Sequence, residues 1–449
     1  MRPWIYFNPV LIFGLSFAIG ASAYGQVAPT AEGGPTPEDD NPMITPPSVG
    51  GMPFASGANV DTRSNYVDTS LTVTPSYIDN VLPSASAKPV SDAAFSILPS
   101  LSLVRSTSRQ LEQVQYSPAF SFYQHTNTLD TIDQAANLEF QYRFTPHVSA
   151  TVQDTFLRTS NVFDSSYLFS SPVTGSTLTP IPTVIVPFAE QLLNTTSGVL
   201  SYQFGKNGMV GGGGEFTVFN FSDATQNAGI YNSKESEGAA FYNHRLSNSQ
   251  YIGAQYQYSR TLAYLANGVD ETQVHSVLPF YSLYFHRNLS LTASIGAQFV
   301  AISPLQLQRF DSWSPEANLS FGWEGEHGGV AVSYAHMITS GGGLLGSYTL
   351  NGVSLSGGWK LARSWNGGVS LSYVKTDNMA PLIQSSGSVG NTLSGQAALG
   401  HSIGEHFAIG FGYQYFHEQY DNIPIINADP NANREFISLS CHLQKALGR

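Results

Sequence analysis

Charged residues are scarce in this sequence. Asp, Glu, Lys and Arg together make up 11% of its 449 residues, against roughly 25% in an ordinary soluble domain. Hydrophobic residues reach 42% and aromatic residues 12%, so most of the chain has enough apolar surface to fold. A soluble protein with so few charges has little with which to cover its surface. We therefore expect part of that surface to face something other than water.

Cysteine and basic residues are scarce as well. The single cysteine, Cys441, excludes a disulfide framework and a cysteine-based metal cluster. The sequence holds 19 Lys and Arg against 31 Asp and Glu, for a formal net charge of −12. Binding to nucleic acid requires many phosphate-neutralising cations, so no nucleic-acid partner is expected. Several carboxylates fall in segments that we predict to be loops: Asp130, Asp133, Glu235, Glu237, Asp270 and Glu271.

Long apolar runs are confined to the N-terminus. Residues 1–23 combine a positive start, an apolar stretch at 5–20 and small residues at Ala21 and Ala23, which is the pattern of a cleavable signal peptide. Beyond residue 23 no window approaches the roughly 18 consecutive apolar residues of a spanning helix. If the mature chain crosses a membrane, a closed barrel is the remaining solution, because every backbone polar group in lipid must be paired.

Residues 24–92 are rich in Pro, Gly, Ser, Thr and Asp, and we predict a disordered arm on the periplasmic side. From about residue 93 the sequence alternates between apolar and small polar residues, as at 289–299 and 407–415. A period of two predicts strands. The pattern fits a soluble sandwich or a membrane barrel, and the low charge of the polar face favours the barrel.

Short polar turns recur along this region, with long polar connections between them. The turns include FTPHV at 144–148, FGKNGM at 204–209, LSNSQY at 246–251, FHRNL at 285–289, WEGEHGG at 323–329, LARSW at 361–365 and IGEHF at 403–407. The long connections are expected at 160–193, 221–234, 263–271, 302–313, 377–390 and 418–433. Short turns at one end and long loops at the other are typical of outer-membrane barrels.

The seven turns and two terminal strands predict an all-β, antiparallel up-and-down barrel of about 16 strands, within a range of about 14–18. Two further segments, 70–78 and 101–104, either raise the number to about 18 or lie outside the barrel. Aromatic residues near the turns are expected to form an interfacial girdle. They are Phe144, Tyr251, Phe285, Trp365 and Phe407.

Over residues 93–449 the sequence resembles the bacterial outer-membrane β-barrel proteins, including the porin-like ones. The resemblance rests on the signal peptide, the alternating strands and the rhythm of turns and loops, and no motif identifies a subfamily. It implies secretion across the inner membrane, insertion by the outer-membrane insertion machinery and contact with outer-membrane lipid. Many such proteins end in an aromatic residue, whereas this sequence ends Leu447-Gly-Arg449.

No residue pattern points to catalysis, a metal or a cofactor. The histidines occur singly, without HExxH spacing. The nearest polar cluster, Asn243-His244-Arg245, adjoins a turn at the expected periplasmic end. The glycines at 211–214 lack the Gly-Lys-Ser/Thr of a phosphate loop and are interpreted as residues that make room on the inner face. We expect no enzyme activity.

Two sets of residues are candidates for shaping a pore. The loop 160–193 contains Val184, Val186, Phe188 and Glu190, which either form a constriction in the lumen, pack over the rim or contact another subunit. Charges near strand ends, Glu139, Arg143, Arg260 and Lys360, are candidate lumen residues.

These observations favour a passive channel for small polar solutes, with acidic outer loops that mildly favour cations. The alternative is a structural or adhesive barrel with a blocked lumen that acts through its long loops. The oligomeric state stays open.

Overall fold

The computed structural model describes residues 65–81, 89–160, 163, 190–221, 230–286, 288–305, 308–339, 346–379, 389–421 and 431–447. Nearly all of them are in β-strands, and one short 3-10 helix lies at Asn127–Leu129. Within these ranges no helix is long and apolar enough to span a membrane. The expectation of an all-β fold is confirmed.

The strands, in chain order, are β1 Tyr66–Ile78, β2 Asp92–Ser106, β3 Gln110–Tyr123, β4 Thr131–Thr145, β5 Val148–Thr159, β6 Gln191–Phe204, β7 Gly208–Phe221, β8 Asn232–Ser247, β9 Gln250–Leu265, β10 Gly268–His286, β11 Leu289–Ser303, β12 Phe310–Gly325, β13 Gly328–Thr339, β14 Tyr348–Lys360, β15 Trp365–Asn378, β16 Val389–Ile403, β17 Phe407–Tyr420 and β18 Asn431–Ala446.

These strands form one closed antiparallel sheet of 18 strands. Each strand pairs with its neighbours in sequence, and β1 pairs with β18 over almost its whole length. The sheet therefore has no free edge, which is the architecture of an outer-membrane β-barrel. The predicted fold class is confirmed, and the strand number lies at the upper end of the predicted range.

The predicted boundary of the barrel at residue 93 is wrong, because β1 begins at Tyr66 and β2 at Asp92. The segment 66–78 combines Ser, Thr and Pro with few large apolar residues, so its composition resembles that of a loop. Its order comes from pairing with β18, a partner almost the whole chain away. Residues 24–64, and with them most of the predicted arm, lie outside the described residues.

The sheet has an apolar outer face and a polar inner face. Alternate residues of a strand point to opposite faces, and residues paired across antiparallel strands share a face. Large exposed side chains such as Leu71, Leu371 and Leu439 occupy one set of positions. The positions between them carry mostly buried or half-buried Ser, Thr, Gln and aromatic residues. A soluble protein would bury the apolar set.

One polar group interrupts the outer face near the middle of β5. The carboxylate of Asp154 accepts hydrogen bonds from Asn194 Nδ2 at 3.0 Å and from Thr196 Oγ1 at 3.2 Å. Both partners lie on β6. The hydrogen bonds partly satisfy a carboxylate that would otherwise face lipid alone.

The two ends of the barrel differ in the length of their connections. At one end, here called the short-turn end, each connection spans two to four residues, from 107–109 between β2 and β3 to 404–406 between β16 and β17. The other end, here called the long-loop end, has connections as long as 160–190. The predicted long loop at 263–271 is wrong, because β9 runs to Leu265 and β10 starts at Gly268.

Four of the five predicted girdle aromatics, Phe144, Phe285, Trp365 and Phe407, are exposed on the outer face near the short-turn end. Tyr251 is different, because it is 1% exposed and packs on the inner face against Tyr284. In the local sequence Tyr251 is two residues from Gly253 and four from Gln255. The period of two therefore places it on the inner face with them, and not on the outer face with Ile252 and Tyr256.

Candidate functional site

The inner face of the barrel is the candidate functional site, and neutral hydroxyl groups line much of it. Cross-strand pairs such as Ser96 and Ser121 at 2.9 Å, or Ser149 and Ser201 at 2.8 Å, share hydrogen bonds between hydroxyl oxygens. Thr195 and Thr217 form a similar pair at 3.0 Å. Hydroxyls both donate and accept, so this lining can contact water and small polar solutes without a fixed charge.

Carboxylates outnumber basic side chains on the inner face. The register and alternation place these carboxylates there: Asp68, Asp92, Asp133, Glu139, Glu215, Glu235, Glu237, Asp270, Glu316 and Glu418. The lysines and arginines of the same face are Arg143, Arg245, Lys360 and Arg434. The prediction that six named carboxylates lie in loops is wrong for Asp133, Glu235, Glu237, Asp270 and Glu271, which all lie in strands, whereas Asp130 lies just before β4.

Four of these carboxylates form what we call the acidic belt: Glu215, Glu235, Glu237 and Glu316. Glu215 on β7 lies directly opposite Glu237 on β8, and Glu235 follows two residues away on the same face. Glu316 on β12 is 1% exposed, accepts a hydrogen bond from the Ser276 hydroxyl and lies within electrostatic range of Glu237. Like charges opposite each other on neighbouring strands are unfavourable, so the belt has an electrostatic cost.

An apolar cluster, here called the lower cluster, lines the same wall between the acidic belt and the short-turn end. Its members are Val199, Met209, Phe241, Tyr251, Leu278, Phe280 and Tyr284. A Cβ atom at Gly211 would collide with the Phe241 ring, and one at Gly253 with the Phe280 ring. The two glycines therefore leave room for these rings. Of the glycines at 211–214, which were predicted to make room on the inner face, Gly211 does so, whereas Gly212 and Gly214 lie on the outer face.

A second apolar cluster, here called the mouth cluster, lies in the interior at the long-loop end. It comprises Leu157, Leu193, Phe219, Phe221, Ile230, Tyr348 and Tyr420. Tyr348 on β14 and Tyr420 on β17 belong to the wall opposite β5 to β7, with β8 to β13 between β7 and β14. Inner-face residues of opposite walls thus meet at this end.

Other residues from the long-loop connections also turn inward. Phe163, from the connection between β5 and β6, is 6% exposed and packs with inner-face residues that include Tyr123 and Phe416. Ser347, just before β14, donates a hydrogen bond to Thr272 on β10 at 3.1 Å. The long-loop end is therefore narrowed by inserted side chains.

The predicted lumen charges do not form one group. Glu139 and Arg143 share the inner face of β4, where Gln141 donates to Glu139 at 2.6 Å. Lys360 has inner-face register but is exposed at the short-turn end of β14. The prediction that Arg260 lines the lumen is wrong. Arg260 lies on the outer face with Tyr256 and Tyr258, and its guanidinium forms an ion pair with Glu271 at 2.8 Å.

Of the four residues predicted to form a constriction, only the last, Glu190, is among the residues that the structure describes. Glu190 is exposed on the outer face, where its two oxygens accept from Arg158 Nε and Nη2, each at 2.9 Å. It therefore does not line the interior. Val184, Val186 and Phe188 lie outside the described residues, as do Ala21 and Ala23 of the predicted signal peptide.

The sequence-based predictions do not include the acidic belt as a group. Glu235 and Glu237 are two residues apart, a spacing that places both on one face of a strand, and this signal was available. The pairing of Glu237 with Glu215 depends on the register of β7 against β8, which the sequence does not display.

No protein-family model matches the sequence, and no curated protein matches it. Among solved structures, the chain is similar to OccAB4 of Acinetobacter baumannii, with 10% identity, a TM-score of 0.42, and coverage of 85% of this chain and 99% of that one. It is also similar to the ferric-catecholate import receptor Fiu of E. coli, with 8% identity, a TM-score of 0.42, and coverage of 85% and 82%.

The outer-membrane protein OpdK of Pseudomonas aeruginosa shows 10% identity, a TM-score of 0.38, and coverage of 84% of this chain and 99% of that one. All three TM-scores are below 0.5, and no function of the chain follows from them.

Proposed function

We propose that the chain spans the bacterial outer membrane as a channel for small polar solutes, without enzymatic activity, and that it prefers cations. The observation that carries this proposal is the two-faced closed sheet, which exposes large apolar residues outward and lines its interior with hydroxyls, amides and an excess of carboxylates. A barrel of this strand number encloses an interior wide enough for an aqueous path. The carboxylates raise the local concentration of cations.

Recording from planar bilayers that contain the purified full-length chain tests the channel. We expect stepwise conductance, and a reversal potential of the cation-selective sign in a salt gradient. A protein that fractionates with the outer membrane and migrates differently in detergent gels before and after boiling, yet shows no conductance, contradicts the channel.

A second function, an outer-membrane anchor that acts through its long loops, is favoured by the mouth cluster. Tyr348 and Tyr420 meet side chains of the opposite wall, so the interior is narrowed at this end. A deletion strain with unchanged solute uptake and altered surface attachment supports the anchor. A strain that loses uptake of small polar solutes supports the channel.

A further inference from the structure

Glu215, Glu237 and Glu316 have no lysine or arginine beside them on the inner face of their own wall. Within the described part of β7 to β12, the only lysine or arginine on the inner face is Arg245, which lies eight residues from Glu237 at the short-turn end of β8. Glu215 and Glu237 face each other directly across two strands. Because opposed carboxylates destabilise a sheet, their presence calls for a cation from outside the chain.

A buried acceptor without a donor is connected to these carboxylates by a chain of hydrogen bonds, from a position among the side chains of the lower cluster. Gln255 on β9 is 2% exposed, and its Oε1 has no hydrogen-bond partner in the described part of the protein. Its Nε2 donates to Gln257 at 3.3 Å, and Gln257 in turn donates to Glu237. A buried acceptor left unpaired costs about 1–3 kcal/mol, and an N–H donor of a ligand would remove that cost.

The distances between the carboxylates indicate which class of cation can contact all of them. They occupy β7, β8 and β12, and neighbouring strands are about 4.8 Å apart. A calcium ion binds its oxygen ligands at about 2.3–2.6 Å, so one ion could bridge Glu215 and Glu237 but could not also reach Glu316, four strands away from Glu237. A linear molecule with several separated positive charges matches this spacing.

Hydroxyl groups lie beside the belt, and apolar side chains lie beyond them on either side: Thr217 follows Glu215 on β7, and Ser259 lies opposite Glu237. Along the inner face of β7, Met209 lies toward the short-turn end of Glu215, and Phe219 and Phe221 lie toward the long-loop end. On β8 the Phe241 ring lies four residues from Glu237. A ligand whose charges face the carboxylates can therefore pack the methylene groups at its ends on the apolar side chains beyond the belt.

We propose that the acidic belt binds a linear organic cation with two or more ammonium groups, an oligoamine, on its way through the barrel. Glu215 and Glu237 accept hydrogen bonds from one ammonium group, Glu316 attracts another, and Gln255 Oε1 accepts a further N–H. This site rests on the proposed channel function and specifies its solute class.

Block of the sodium current by spermidine tests the site in the full-length chain. We expect spermidine to reduce the current at low concentration, and the Glu215→Gln/Glu237→Gln double variant to raise the half-blocking concentration about tenfold or more, since each charged hydrogen bond contributes about 1.5–3 kcal/mol. The matched control, Asp68→Asn/Glu139→Gln, removes two inner-face carboxylates outside the belt and should raise this concentration far less, because it weakens only long-range attraction and no hydrogen bond to the ligand. The two single variants of the belt provide the same test if the double variant does not fold.

The outcomes separate the site from the channel. A wild-type chain that conducts sodium but is insensitive to spermidine overturns the oligoamine site and leaves the channel in place. Equal weakening in the control variant, or block by Mg²⁺ with the same dependence on Glu215 and Glu237, also overturns it. If the wild-type chain does not conduct, titration calorimetry of the detergent-folded protein decides. Spermidine binding that the double variant loses supports the site, and no binding overturns it.

Discussion

Gly211 and Gly253 are two of the residues at which the inner wall leaves no room for a side chain. The Phe241 and Phe280 rings occupy the space that a Cβ would need, and the carbonyl oxygen of Leu200 lies 2.7 Å from the Cβ position of Gly211. Glycine in a strand interior is otherwise unfavourable, because it is flexible when unfolded and adds no packing. Its presence here is therefore explained by the rings that lie over it.

We predict that Gly211→Ala destabilises the folded barrel by about 1–3 kcal/mol, the cost of overpacking. The control is Gly238→Ala, since nothing lies within 4 Å of a Cβ at Gly238, and this variant should be as stable as the wild type or slightly more stable. Urea-induced unfolding in lipid vesicles, followed by tryptophan fluorescence, measures both. Equal stability of the two variants would show that the Phe241 ring moves aside without cost.

For single residues, the face of the sheet could be predicted from the sequence, whereas the partner on the neighbouring strand could not. Arg260 is two residues from Tyr258 and four from Tyr256, so the period of two predicts that it shares the outer face with these tyrosines. The opposition of Glu215 and Glu237 could not be predicted in this way, because it arises from the register of two strands. The alternation of residues along a strand shows which face a side chain occupies, but only the register between two strands shows which residue lies opposite it.

At the scale of elements, turns were easier to predict than loops. The segment 204–209 carries Gly and Asn between apolar residues, and the structure has a tight turn there with Gly205 at a φ of 63°. The segment 263–271 looks equally polar, but its strands continue to a connection of two residues at 266–267. A polar composition is compatible with the inner face of a strand as well as with a loop. For the same reason, β1 was predicted to belong to a disordered arm.

β1 is the element that closes the barrel, so we predict that deleting residues 24–80 prevents folding. Without β1, β2 and β18 would expose unpaired backbone groups to lipid, which are costly there. Deleting residues 24–64 should preserve the barrel, because β1 begins at Tyr66. Gel migration with and without boiling distinguishes folded from unfolded chains. A folded protein after the longer deletion would show that β2 and β18 can pair directly.

The mouth cluster joins elements of opposite walls, and we predict that Tyr348→Ala/Tyr420→Ala raises the single-channel conductance. Both tyrosines are almost fully buried where the interior narrows, and their removal leaves space for water. The variant should also be less stable, since truncating a buried aromatic residue typically costs about 3–5 kcal/mol.

The control for this pair is Tyr334→Ala/Tyr373→Ala, which truncates two exposed tyrosines of the outer face. Its conductance should equal that of the wild type. If the inner pair leaves the conductance unchanged while the protein stays folded, the mouth cluster does not limit the current, and the argument for a blocked anchor loses its structural basis.

At the scale of the whole molecule, the few charges of the chain are distributed unequally between the two faces. Outer-face ion pairs such as Arg158–Glu190 and Arg260–Glu271 place opposite charges side by side near the long-loop end. The inner face instead carries an excess of carboxylates, with the acidic belt on one wall. The formal charge of −12 is therefore partly directed into the interior, where low-dielectric walls focus its field.

This arrangement predicts a cation preference that weakens as salt increases. The Debye length falls from about 30 Å at 0.01 M to about 10 Å at 0.1 M and about 3 Å at 1 M, so the inner carboxylates act across the interior only in dilute salt. We expect a larger reversal potential of the cation-selective sign in a gradient from about 0.01 to 0.1 M KCl than from about 0.1 to 1 M KCl. Glu215→Gln/Glu235→Gln/Glu237→Gln should reduce the potential in the dilute gradient and change it little in the concentrated one. An anion-selective potential, or one of the same size in both gradients, would show that fixed charges of the inner wall do not control which ions pass.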